Sequence, residues 1–387
     1  MNIKELDNQY VASTYARFPL CITKGKGVLA YDENGKEYID LGTGIAVNTF
    51  GYADEEWISA VTEQLTKLQH TSNLYYSEPC AKLAELLCKK TGMKKVFFSN
   101  SGAEANECAI KAARKYGELN KGADHTTIIT LKDSFHGRTI TTLAATGQDV
   151  FHKDFLPLTN GFVYAEPNNA KDVKRLLDEN KCCAIMFEVV QGEGGVLPLK
   201  KEFLSSLKEL AKEYDVLLIA DEVQCGNGRT GELYGYMNFD IMPDIVSTAK
   251  GLAGGLPMGA TLLGEKVENV LGISMHGSTF GGNPVCAAGA LNIISRLDAS
   301  MLAGVKARSE YIFNELSNAK GVKSVSGLGL MIGIETERPA AEIIDECREQ
   351  GVLVIKAKQK LRLLPALNID MELLKKSIQI IKEACAK

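Results

Sequence analysis

A chain of 387 residues is longer than one small core needs and allows two or three structural units. With 45% apolar and 24% charged residues it has the balance of a globular protein, and a formal net charge of −4 supplies no field to draw in nucleic acid or an anionic membrane. The first ten residues, MNIKELDNQY, lack the apolar stretch of a secretory signal, and no apolar run approaches the ~20 residues that span a bilayer, so the cytoplasm is the expected compartment. The ten cysteines contain no C-x-x-C pair and do not cluster with the five histidines; they read as reduced thiols packed as small apolar groups, and no metal site is expected.

Residues 1 to about 45 read as an arm followed by part of a small sheet. Val28–Tyr31 and Glu37–Leu41 flank Asp32-Glu33-Asn34-Gly35, a hairpin signal, because Asn-Gly tolerates the positive φ angles of a tight turn. Gly42, Gly44 and Ile45–Val47 are expected to form a loop. Helical spacing covers 54–69, with Trp57, Val61, Leu65 and Leu68 on one face and Trp57 in the core. His70–Tyr76 is a polar and aromatic connector, readable as a turn or as a pocket wall, and a helix from about Pro79 to Lys90 follows. A βαβ rhythm then runs from Lys94 to about residue 265, with strands at 96–98, 126–131, 184–190, 216–220 and 245–246 and helices over 100–116, 170–180 and 201–214. A glycine-rich loop at 274–284 leads to a long helical pattern from about 286. The remainder is α+β, with strands near 322–325, 330–335, 352–355 and 361–365, a helix at 340–350 and a terminal helix. The expected division is an N-terminal arm and part of a small domain over 1–45, a large domain over 46–285 and a smaller α+β domain over 286–387.

Chemistry gathers at the ends of the predicted strands. The run Asp244–Gly259 (DIVSTAKGLAGGLPMG) places Lys250 where an apolar strand stops and a glycine-rich loop begins. Most lysines at strand ends are simply solvated. One that loses hydration has a lowered pKa, becomes a neutral amine and can attack a carbonyl to hold it as a Schiff base. Asp221 closes the near-continuous apolar run Val216–Ala220, which has the look of a central parallel strand. Glu188 and the turn Gln191-Gly192-Glu193-Gly194-Gly195 end another strand, and Ser134-Phe135-His136-Gly137-Arg138 a third. Asn100–Glu107 opens a helix with small residues, which leaves backbone amides bare for an anion. An open parallel sheet binds ligands beyond the carboxyl ends of its strands, so Phe135, Glu193, Asp221 and Lys250 should share one crevice.

A carbonyl-trapping lysine, a carboxylate and a phosphate turn together suggest pyridoxal phosphate. Lys250 would hold its aldehyde carbon, Asp221 would pair with its ring nitrogen, Phe135 would stack on the ring, and Gly102 and Ala103 would offer amides to the phosphate.

The motifs that carry this reading also carry a family likeness. GKGV, GIAVN (44–48), NSGAEANE (100–107), FHGRT (135–139), QGEGG (191–195), ADEVQCGNGRTG (220–231), STAKGLAGGLPMG (247–259) and HGSTFGGNP (276–284) occur in order over nearly the whole chain. The sequence resembles the class III, ω-amino-acid branch of the fold-type I aminotransferases, and within it the acetylornithine enzymes. The resemblance implies an α/β large domain with a mostly parallel seven-stranded sheet flanked by helices, and a smaller α+β domain. It implies that Arg138 binds the substrate α-carboxylate, Gln224 contacts the cofactor ring oxygen, and Val223 packs opposite Phe135. Ser101 and Glu188 belong to the same cofactor site. It places Thr279 on the phosphate of a second subunit's cofactor, with Ser278 near substrate, which makes a homodimer necessary for activity. Glu193 and Arg362 look like a switch in which the carboxylate masks the arginine until a dicarboxylate such as 2-oxoglutarate binds. GIAVN and Asn73 favour acetylornithine over ornithine as donor. Succinylornithine, acylated diaminopimelate and 4-aminobutyrate stay open as donors, an aminomutase as a different chemistry, and a cofactor-free binding protein as a different class. Three departures stand out: Ala103 replaces the more usual Thr, Gly51-Tyr52-Ala53-Asp54 replaces G-H-x-H-P, and Pro365-Ala366 replaces Pro-Pro.

Overall fold

The computed structural model describes residues 2–387. Near the N-terminus, β1 (Ile22–Lys26), β2 (Leu29–Asp32) and β3 (Glu37–Asp40) form an antiparallel meander. The β2–β3 turn takes the expected chemistry: Gly35 has φ 81° and Asp32 accepts the Asn34 and Lys36 amides. The meander is completed from the far end of the chain, where β15 (Val352–Leu353) pairs in parallel with β3.

The central sheet has seven strands: β4 (Lys95–Ser99), β5 (Thr127–Leu131), β6 (Phe162–Ala165), β7 (Cys182–Phe187), β10 (Leu217–Asp221), β11 (Ile245–Thr248) and β12 (Gly259–Leu263). Their spatial order is β4-β12-β11-β10-β7-β5-β6, and the run from β11 to β6 is parallel throughout. β12 alone runs the other way, antiparallel to both neighbours. A small ribbon, β8 (Val190–Gln191) with β9 (Leu197–Pro198), projects from the end of β7. β7, β10, β11 and β12 are buried along their whole length, which explains their unalternating apolar sequences. The C-terminal part adds β13 (Val322–Leu328), β14 (Met331–Thr336), β16 (Ile355–Ala357) and β17 (Lys360–Leu363), in the order β13-β14-β17-β16.

Several features depart from the sequence reading, among them Leu65 and Leu68, which are exposed. β6 and β12 were not anticipated: β6 is short and only partly buried, and GATLL at β12 follows glycines that read as loop. The predicted strand 352–355 is split at Val354 and serves two different sheets. The predicted loop at 42–47 is instead a turn of left-handed helix, with positive φ at Thr43, Gly44, Ile45 and Ala46 (48°, 64°, 65° and 62°). Such a conformation costs on the order of 1–2 kcal/mol for each non-glycine residue. Buried anchors hold it: Asp40 accepts the Gly42 and Thr43 amides, the Thr43 hydroxyl donates to Leu364 O at 2.6 Å, and the Thr49 hydroxyl donates to Gly251 O at 2.7 Å.

Candidate active site

Five chain segments leave the carboxyl ends of β4, β5, β7, β10 and β11 on one side of the sheet. Between them lies a crevice of about 240 Å³ lined by Gly102, Ala103, Asn106, Phe135, His136, Gly137, Arg138, Glu188, Glu193, Asp221, Val223, Gln224 and Lys250. The strand-end argument therefore holds: Phe135, Glu193, Asp221 and Lys250 do share one cleft.

Asp221 is the last residue of β10 and is 3% exposed. One carboxylate oxygen accepts the Val223 amide at 3.0 Å; the other accepts Asn106 Nδ2 at 2.8 Å and His136 Nδ1 at 2.7 Å. Burial works against a charged His136, but the hydrogen bond and charge of Asp221 outweigh it and raise the imidazole pKa. His136 Nε2 is buried with no hydrogen-bond partner among the described residues. No role had been assigned to Asn106 or His136 from sequence. A usable signal existed for Asn106, since four residues beyond Gly102 is one helical turn on the same face.

Lys250 directly follows the β11 end, in a left-handed backbone conformation (φ 47°) at the start of a 3₁₀ turn. It is half-buried, and loss of hydration lowers its pKa despite the opposing charge of Glu193. A strained lysine whose loss of hydration outweighs the carboxylates that would keep it charged is the arrangement a nucleophilic amine needs.

The helix Gly102–Lys121 starts at the crevice. Ser101 caps it by accepting the Glu104 amide at 3.2 Å, which leaves the Gly102 and Ala103 N–H groups outside the intrahelical ladder. A side chain at Gly102 would lie 2.7 Å from Val223 Cγ1, so glycine is what lets this turn approach the Asp221–Gln224 loop. Glu188 lies just past β7 and accepts the Phe135 and Gly192 amides at 2.9 and 3.4 Å. Burial raises its pKa to about 7, against the stabilising charge of His136.

Glu193 joins the crevice to the C-terminal sheet. Arg362, on β17 and 3% exposed, places Nη1 2.5 Å from Glu193 Oε1 and 3.2 Å from Gln224 Oε1. Burial alone would raise the Glu193 pKa, but the charge and hydrogen bond of Arg362 lower it. Arg138 is exposed, its guanidinium stacked 4.1 Å over the Phe151 ring.

Asn73, Ser278 and Thr279 are not brought into this chain's own crevice. Asn73 donates to Ser278 O and Gly281 O at 3.0 and 2.9 Å, Ser278 Oγ accepts Asn100 Nδ2 at 3.1 Å, and Thr279 is exposed. Together they build a surface loop beside the helix start.

The residues fit pyridoxal phosphate. Two free amides at a helix N-terminus suit a phosphate, a buried carboxylate suits a pyridine nitrogen, and a half-buried lysine suits an aldehyde. The glycines permit the close approach a flat ring requires. Among the described residues no cluster of His, Cys, Asp or Glu is arranged to hold a metal.

A fold of this kind with a lysine between an acidic strand end and a phosphate turn defines a pyridoxal-phosphate-type transferase, and the comparisons narrow it. The profile of the family Aminotransferase class-III matches residues 10–385, and the chain belongs to that family. It is 48% identical to an acetylornithine aminotransferase of Haemophilus ducreyi, over 100% of this chain and 98% of that protein. Among solved structures, an N-acetylornithine aminotransferase from Stenotrophomonas maltophilia matches with TM-score 0.86 and 35% identity over 99% of this chain and 98% of that one. An ornithine aminotransferase from Toxoplasma gondii, whose active site holds PLP at partial occupancy, matches with TM-score 0.94 and 29% identity over 99% and 93%.

Proposed function

We propose that the chain transfers the terminal amino group of N2-acetyl-L-ornithine to 2-oxoglutarate, giving N-acetyl-L-glutamate 5-semialdehyde and L-glutamate, a step of arginine biosynthesis. The observation that carries this reading is the meeting, at one crevice, of a half-buried Lys250 with a lowered pKa and a Glu193–Arg362 pair that can mask or release a second cation.

Pyridoxal 5′-phosphate, when bound, supplies an electron-withdrawing ring that stabilises negative charge on the reacting carbon. The chain's own residues do the rest. The Gly102 and Ala103 amides, with Ser101 behind them, would hold the phosphate. Asp221, fixed by His136 and Asn106, would pair with the ring nitrogen, and Gln224 would contact the ring oxygen. Phe135, anchored through its amide by Glu188, and Val223 would cover the ring. Arg138 holds the α-carboxylate of the donor. Lys250 Nζ takes the proton from the donor carbon that bears the amine and returns it as a general acid. Arg362 stays paired with Glu193 while the singly charged donor is bound, and is freed when a dicarboxylate brings a second negative group.

Ornithine is the rival donor. Backbone shape does not discriminate, since the ornithine enzyme superposes at TM-score 0.94, but identity favours the acetylornithine enzymes, at 48% and 35% against 29%. The deciding measurement is the donor half-reaction on purified holoenzyme without keto acid, followed by visible absorbance at equal concentrations of N-acetylornithine and ornithine. Faster bleaching by N-acetylornithine is expected; faster bleaching by ornithine overturns the donor assignment.

The working form in this reading is a homodimer, with Thr279 of each copy contacting the cofactor phosphate of the other and Asn73 and Ser278 shaping that contact. Its support is an exposed stretch with large apolar side chains around this loop, including Leu74, Tyr76, Ile273 and Phe280. The cytoplasm is the compartment proposed, where the ten free thiols would stay reduced.

A further inference from the structure

We infer that Phe151 is a positioning residue for Arg138 and thereby sets the enzyme's preference for donors that carry an α-carboxylate; this rests on the reading of Arg138 as the carboxylate ligand. Arg138 lies at the mouth of the crevice, and its guanidinium carbon sits 4.1 Å from the Phe151 ring centroid and 5.4 Å from that of Phe135. The two rings meet edge to face, with centroids 5.9 Å apart and an interplanar angle of 79°. A guanidinium stacked on a ring spends its face and keeps its edge, where all five N–H donors lie. An unsupported arginine at a cleft mouth would sample many rotamers and lose that freedom on binding; one already stacked loses less. Phe151 therefore holds the fork open toward the crevice without competing for a hydrogen bond.

The surrounding segment is built to hold the ring there. Phe151 ends the 3₁₀ turn Asp149–Phe151, and its amide donates to Gln148 O at 3.0 Å. Gln148 Nε2 donates to Ser134 O at 3.0 Å, and the Gly147 amide donates to Ser134 Oγ at 3.0 Å. His136 N donates to Thr146 Oγ1 at 2.9 Å. Residues 146–152 are thus stitched alongside 134–138, which brings a phenylalanine thirteen positions away onto the arginine. Gly137 (φ 143°) fixes the direction in which Arg138 leaves, since a Cβ there would lie 2.4 Å from Thr142 Oγ1 and 2.9 Å from Ala103 Cβ. The neighbouring Val150 is exposed, so Phe151 is not held by a deep core. Nothing in the sequence pattern of 149–151 sets this phenylalanine apart from a surface-turn aromatic.

The test compares kcat/KM for N2-acetyl-L-ornithine with that for N-acetyl-1,4-diaminobutane, the same donor without its carboxylate, in the donor half-reaction of the holoenzyme. Phe151→Leu keeps the bulk and removes the ring face; Phe151→Tyr keeps the face. F151L is expected to lower the ratio about five- to tenfold, through KM for the carboxylate donor, with the resting visible spectrum, the thermal midpoint and the decarboxylated donor's kcat/KM unchanged; F151Y is expected to stay within about twofold of the parent. Arg138→Gln serves as the reference and should abolish most of the preference. If R138Q collapses the ratio and F151L leaves it intact, or lowers both donors equally, the inference falls while the function stands. If R138Q itself leaves the ratio intact, the carboxylate role of Arg138 falls and the inference with it.

Discussion

Asp221 and Glu222 are adjacent, both buried, and face different surroundings. Asp221 looks into the crevice, where His136 and Asn106 hold it. Glu222 looks away and accepts the Gly235 and Tyr236 amides at 2.7 and 2.8 Å, with no cation paired to it among the described residues; burial lifts its pKa to about 8. Its raised pKa has a consequence for stability. In the fold this carboxyl keeps its proton to about pH 8, against 4.5 for an unperturbed glutamate. Between those values the folded chain binds the extra proton, so the group's contribution is complete below the unfolded pKa and is lost as pH rises through the folded one. A Glu222→Gln variant has no such proton to lose. The thermal midpoint of the parent minus that of E222Q should therefore fall between about pH 5 and pH 8 and level off above; a difference independent of pH would show that Glu222 is ionised in the fold throughout.

Two elements carry the site's precision. The first is the N-terminus of the helix Gly102–Lys121, which meets the Asp221–Gln224 loop with no room for a Cβ. Gly102→Ala should push Val223 off the ring face and crowd the phosphate amides, weakening pyridoxal phosphate binding at least about tenfold while costing only about 1 kcal/mol or less of stability in the cofactor-free protein. Equilibrium titration with the cofactor and thermal melts of apoprotein separate the two effects. The second is the hairpin of β16 and β17. Its turn carries Lys358, with φ 50°, which pairs with Asp133, itself at φ 64°, while Arg362 on the same hairpin pairs with Glu193. Gly194 packs on Asp133, and Gly195 faces the Lys358 stem, so the loop that carries Glu193 is clasped between the two ion pairs. Lys358 and Asp133 are both 42% exposed, and their pair contributes about 1 kcal/mol at most. Lys358→Ala should thus leave the melting temperature nearly unchanged but raise KM for 2-oxoglutarate about two- to fivefold, with the donor half-reaction unaffected. Equal changes in both half-reactions would mean that the pair does not act through Arg362.

Across the whole molecule, long-range pairings bind distant stretches of chain to one site. β3 pairs with β15 more than three hundred residues later, and the stretch Thr43–Thr49 ties Leu364, two residues past Arg362, to Gly251, one past Lys250. We propose that the arm-and-sheet unit and the C-terminal unit act as one small domain against the large one. The dimer reading belongs to this scale as well. A Lys250→Ala chain and a Thr279→Val chain should each be impaired alone. Mixed dimers should contain one site carrying both substitutions and one carrying neither, and should recover up to about half the parent activity per hybrid, as sites shared between two copies require. Mixing that restores nothing, in chains shown to have exchanged, would confine each site to a single copy.

The amino-acid sequence by itself determined where along the chain the crevice residues lie. Apolar runs that stop at Asp221 and Lys250, and small residues that open a helix at Gly102, are local signals. Strand ends and helix starts are written in a few consecutive residues, and a parallel sheet collects them on one edge. Only the tertiary structure decided the rest. β12 becomes a strand because β4 and β11 complete its hydrogen bonds, not because Gly259 and Ala260 demand it, whereas Phe162-Val163-Tyr164 of β6 favour a strand too short to stand out along the chain. The turn at Thr43–Ala46 is left-handed because Asp40 and Leu364 hold it there, with Thr49 just beyond it tied to Gly251, a conformation that Thr, Ile and Ala oppose locally. Asn106 and His136 meet on one oxygen of Asp221, and Phe151 meets Arg138, through folding alone. Side chains far apart in sequence share energy only when the backbone brings them into contact, and no spacing along the chain encodes that distance.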